Sequence, residues 1–88
     1  MLKISVVSDS EQAIQFHLEG KLIGAWVEEL RRLGDEALLQ KKTVSLDLEG
    51  VQFVDVRGVA LLRDFSRRHV SHLNCSQFVI QQINEVAL

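Results

Sequence analysis

Hydrophobic side chains in this chain keep two different periods, and the places where the period switches constrain the fold more than any single residue. In residues 2–7, Leu2, Ile4 and Val6 alternate with Lys3 and Ser5. Ile14, Phe16 and Leu18 alternate with Gln15, His17 and Glu19, and Val44, Leu46 and Leu48 with Ser45 and Asp47. A period of two belongs to a strand with one face covered and one face wet. Between the second and third of these stretches the period lengthens. Trp26, Val27, Leu30, Leu33, Ala37 and Leu38 recur at three- and four-residue steps, the stripe of an amphipathic helix over residues 25 to about 40. Trp26 belongs to that stripe and is expected in the core, and Gly34 weakens the helix slightly. A second helix runs from residue 56 to about 69, with Val59, Leu61, Leu62 and Phe65 as its buried side and Asp55 as its N-cap.

The remaining segments fill in around these. Residues 8–11 are polar and suit a hairpin turn. Glu49 and Gly50 break the third strand, and residues 51–54 form a short apolar run leading to Asp55. Residues 71–76 read as a loop and 77–82 as a fourth strand with Phe78 and Ile80 inward. Residues 83–88 read as the first turn of a helix that stops early. Ion pairs one turn apart are expected between Glu28 and Arg32 and between Asp64 and Arg68. The order strand, strand, helix, strand, helix, strand is α/β. The first two strands make an antiparallel hairpin, and those joined through helices lie parallel with right-handed crossovers. Three alternating strands place both helices on one face of a mixed four-stranded sheet.

Eighty-eight residues without proline, repeat or linker make one domain, residues 1–88. The formal charge is −2, with no long-range attraction for nucleic acid. A single cysteine rules out an internal disulfide. No apolar run approaches the ~20 residues of a membrane span, so a cytoplasmic address without membrane insertion is expected.

Chemistry-bearing patterns are sparse. His69, His72 and Cys75 have a spacing that could suggest zinc, but only three ligands are in sight and the run crosses a helix end, so no metal is expected. Arg63, Arg67 and Arg68 form a solvated basic face at the end of the second helix, and His17 lies on a wet strand face. There is no glycine-rich phosphate loop, paired-carboxylate motif or recognisable nucleophile–base spacing, so neither catalysis nor a cofactor is expected.

The run Val44-Ser45-Leu46-Asp47-Leu48, followed by Val51-Gln52-Phe53-Val54-Asp55-Val56-Arg57-Gly58-Val59-Ala60-Leu61-Leu62, resembles the signature of STAS domains. Leu18-Glu19-Gly20-Lys21-Leu22 resembles their second strand with its Gly-x-Leu ending. The resemblance spans roughly residues 12–82. It implies a STAS-like sheet, with the usual C-terminal helix short or missing here, and a non-catalytic interaction module. In the anti-sigma-factor antagonists of this family, a kinase-type anti-sigma factor binds the domain and phosphorylates a serine at the start of the second helix. Arg57 stands at that serine position, and Ile23 stands where the family usually has aspartate. The resemblance therefore implies partner binding through Asp55, Val56, Arg57, Gly58, Ile23 and Gly24, without phosphorylation at the signature site. Gly58 either lets a partner backbone come close or lets the helix pack on the strand. The expected partner is an anti-sigma factor or related kinase-like regulator. The alternative is the ATPase of a lipid-transport ABC system, to which small STAS proteins serve as accessory subunits. An apolar surface left by a short C-terminus would also suit a homodimer.

Overall fold

The computed structural model describes residues 1–85; the expectation for residues 86–88 lies outside them. Four strands form one mixed sheet in the order β1-β2-β3-β4, where β1 is Leu2–Asp9, β2 Ala13–Leu22, β3 Thr43–Val54 and β4 Ser71–Leu73. The hairpin β1–β2 is antiparallel, and β2–β3 and β3–β4 are parallel. Helices α1 (Ala25–Leu39) and α2 (Val56–Arg67) bridge the parallel pairs, and α3 (Gln77–Glu85) follows β4.

The period-two stretches do what their alternation dictates. Ile14, Phe16, Leu18, Val44, Leu46 and Leu48 are buried, whereas Gln15, His17, Ser45 and Asp47 lie on the helix-free face. Val27, Leu30 and Ala37 of α1 and Val59, Leu61, Leu62 and Phe65 of α2 close over the covered face. Gly34 is the point of contact between these helices. A Cβ there would lie 2.4 Å from Cζ of the buried Phe65, so the aromatic ring occupies the space a side chain would need. The residue that weakens α1 as an isolated helix is thus what lets α2 approach.

Four expectations are corrected. Residues 77–82 are not a strand but the body of α3, and the fourth strand is the three-residue β4 where a loop was expected. Phe78 is 54% exposed, while Val79 is fully buried and Ile83 packs against the core one turn later. Ser76 opens the helix by accepting from the Val79 amide. The C-terminal helix is therefore present but short. Second, β3 does not end at Glu49 and Gly50 but continues to Val54, the irregularity being absorbed as register shifts against β2. Third, Arg32 pairs with Glu29 and Glu36, and Glu28 with Arg31; the Asp64–Arg68 pair forms, with Arg68 also reaching Asp35 on α1. Fourth, Trp26 is not in the core but 36% exposed. Among the described residues no helix is long and apolar enough to cross a membrane.

Candidate partner-binding site

Leu22 and Val54 are register partners at the C-terminal ends of β2 and β3, so α1 and α2 begin side by side at one end of the sheet. Asp55 occupies the junction. Its Oδ1 accepts from the Gly58 amide at 2.7 Å, capping α2, and its Oδ2 accepts from the Gly24 amide at 3.0 Å. Gly24 is the N-cap of α1, with φ 56° and ψ −131°, a conformation that glycine adopts without a Cβ clash. The Asp55 amide in turn donates to the Leu22 carbonyl. One half-buried carboxylate thus joins two helix starts that are 31 residues apart in sequence.

The expected site residues fall into three groups. Asp55 and Gly24 are bonded directly, with Ile23 held between Leu22 and Gly24, and Val56 and Arg57 are exposed on the first turn of α2. Gly58 faces inward and is buried. A Cβ on it would come 2.6 Å from Val54 Cγ1 and 2.8 Å from the Leu22 carbonyl oxygen, so close packing of helix on strand accounts for glycine at this position. Arg57 has no carboxylate partner among the described residues, unlike Arg31, Arg32 and Arg68.

Two neighbours, Phe53 and Gln82, escaped the sequence reading, and a third, Trp26, was expected in the core. Val56 is 66% exposed, and Phe53 (39%) and Trp26 add further apolar surface within two residues of Asp55 or Gly24. The Gln82 carboxamide of α3 accepts from the Val54 amide and donates to the Val54 carbonyl, satisfying the last residue of β3 as a neighbouring strand would. The one-turn spacing of Val79 and Ile83 was the signal that could have placed Gln82 on a helix.

The two segments that form the site bring few groups with chemistry of their own. Residues 21–29 and 51–61 contain no serine, threonine, tyrosine, cysteine or histidine, and the one carboxylate at their junction is engaged by two amides. What remains is an exposed guanidinium with apolar side chains nearby, a composition suited to recognition.

Comparison with known proteins agrees with this frame. The family model described as "Mlab, STAS domain" matches residues 5–76. No curated protein matches at a significant level. Among solved structures, the fold resembles the anti-sigma factor antagonist SpoIIAA in its unphosphorylated form, with TM-score 0.65, 15% identity, and coverage of 96% of this chain and 100% of that one. It also resembles an antisigma-factor antagonist STAS domain from Rhodobacter sphaeroides, with TM-score 0.64, 17% identity, and 99% and 96% coverage. An uncharacterised protein from Shewanella loihica with a SpoIIAA-like fold matches at TM-score 0.59 and 14% identity, over 92% of this chain and 72% of that one. With the family model spanning most of the sheet and both crossover helices, the chain belongs to the STAS domain family.

Proposed function

We propose that this STAS domain is a non-catalytic, cytoplasmic interaction module that docks a regulatory protein through the start of α2, with no phosphate switch at the signature position. The observation that carries this reading is the surface around Asp55. Its carboxylate joins the two helix starts, while Val56 and Arg57, which has no carboxylate partner among the described residues, stand exposed beside it. A guanidinium in such a place offers a bidentate contact to a partner carboxylate, and the apolar side chains supply the area. The partner that fits first is a kinase-like anti-sigma regulator. Neither segment of the site offers it a hydroxyl to phosphorylate.

A second reading is an accessory subunit bound to the ATPase of a lipid-transport ABC system. It is favoured by the match to the Mlab model together with arginine at position 57, since a subunit that stays docked needs no phosphate release. Capture of partners from source lysate, with identification by mass spectrometry, separates the two. Arg57→Glu, checked for folding, is run beside the wild type. A kinase-like anti-sigma factor lost with the variant supports the first reading, and an ATPase lost with it supports the second. Partners retained by Arg57→Glu would place the docking surface elsewhere.

A further inference from the structure

At the other end of α2, the helix together with β4 and α3 borders a half-open cavity of about 190 Å³ lined by Leu62, Arg63, Ser66, Arg67, His72 and Ile83, of which Ser66 and Arg67 are exposed. Its polar side chains are two guanidiniums, a hydroxyl and an imidazole, all able to donate hydrogen bonds, and among the described residues no carboxylate lines it. Like Arg57 at the opposite end of the helix, these two arginines differ from the ion-paired ones. Arg31 and Arg32 are paired along α1, and Arg68 bridges Asp35 and Asp64. Arg67 has no carboxylate partner among the described residues, and Arg63 donates to the Ile83 carbonyl, a neutral acceptor.

His72 is the second oddity. It sits in register with buried Leu46, so its ring turns to the helix side of β4. Its Nδ1 lies 3.5 Å from Ser66 Oγ, at the outer limit of a hydrogen bond, while Nε2 is buried without a partner among the described residues. A buried polar atom left unsatisfied calls for an explanation. The helix dipole favours a cation in the last turn of α2 and so accounts for Arg67, but it does not account for the orphaned imidazole nitrogen.

We propose that this cavity binds a phosphate-like oxyanion, either free or as the phosphoryl end of a small phosphomonoester, held by Arg63, Arg67, Ser66 and His72. Water takes about 30 Å³ per molecule in the liquid, so the space holds a tetrahedral oxyanion and a few waters. Guanidinium groups match such an anion with paired, charge-assisted hydrogen bonds. Burial holds the His72 pKa below its ordinary value, and a bound dianion pulls it back up.

The test is a titration of the whole chain with sodium phosphate against sodium chloride at matched ionic strength. The His72 ring and the arginine side chains are followed by NMR. Saturable shifts at His72, Arg63 and Arg67, with a rise in the His72 pKa, are expected. Arg67→Gln, an exposed change that leaves the fold alone, weakens phosphate about tenfold, the loss of one charge-assisted contact. His72→Gln is the second variant. Glycerol phosphate binding as well as inorganic phosphate identifies a phosphomonoester site, and binding of inorganic phosphate alone identifies a free-anion site. Shifts that grow without saturation, or an affinity unchanged in Arg67→Gln, overturn the proposal.

Discussion

Replacing Asp55 by alanine removes both acceptors that join the entries of α1 and α2. Loss of an N-cap side chain costs about 1 kcal/mol. Leaving the half-buried Gly24 amide without its acceptor adds about 1–2 kcal/mol. The sum, about 2–3 kcal/mol, is a large part of the few kcal/mol by which a chain of this size is stable. It lowers the melting temperature by about 10–20 °C for a domain this small. Two further variants separate the contributions. Asparagine keeps an oxygen for Gly58 but turns an NH₂ group toward the Gly24 N–H, donor against donor. Serine keeps the cap but is too short to span to Gly24. Both should therefore fall between the wild type and Asp55→Ala. Urea unfolding followed by circular dichroism gives the ranking. Fluorescence of Trp26, the single tryptophan, reports the α1 entry in the same titration. A loss of no more than about 1 kcal/mol in Asp55→Ala, or an asparagine variant as stable as the wild type, would refute the idea that this carboxylate links two elements.

Other substitutions test the packing and the sheet. Gly58→Ala adds a methyl 2.6 Å from Val54 Cγ1, so it destabilises by about 1–3 kcal/mol despite alanine's better helix propensity; unchanged thermal unfolding would show that the contact yields freely. Gly34→Ala should destabilise through the Phe65 ring, and Gly34→Ala combined with Phe65→Leu should lose less than the sum of the single changes. Additive losses in that double-mutant cycle would contradict the packing argument. On the open face, the hydrogen bond to Asp47, helped by Glu19, raises the His17 pKa above its ordinary 6.5. Asp47 is lowered from 3.8, chiefly by the Glu49 amide and then by Asn74, with His17 contributing. The His17 contribution is thus complete below 6.5 and is lost as pH rises through its folded value. That of Asp47 is present above 3.8 and is lost as pH falls through its lowered folded value. His72, with its pKa lowered by burial, works in the opposite direction, so the comparison of wild type with His17→Gln isolates the effect. The wild type should exceed His17→Gln by more at about pH 5.5 than at about pH 8. A His17 that titrates by NMR at or below 6.5 would count against this account.

Local pattern carried the reading furthest where an element is long enough to show its period. Ten residues of β2 and the fifteen of α1 leave little ambiguity about strand or helix. The N-cap role of Asp55 was equally legible, because a cap is a contact across three residues. Residues 77–82 failed for the opposite reason. Six residues with Phe78 and Ile80 apolar fit a strand, and the helical reading becomes visible only when Val79 is paired with Ile83 against the core. β4 has too little pattern of its own. Ser71, His72 and Leu73 are extended because Ser45, Leu46 and Asp47 offer them a parallel edge.

Chain order, element periods and the chemistry available at the α2 start were determined by the sequence alone. Contacts between segments far apart in the chain were decided by the tertiary structure. The second oxygen of Asp55 finds Gly24, Gln82 closes over Val54, and Gly34 receives Phe65. The same holds for His17, expected to be a simple surface residue, which lies between Glu19 and Asp47. Each of these depends on the register of neighbouring strands and the angle at which helices settle on the sheet. Those are set by how the whole core fills its volume, a property no local stretch of residues contains.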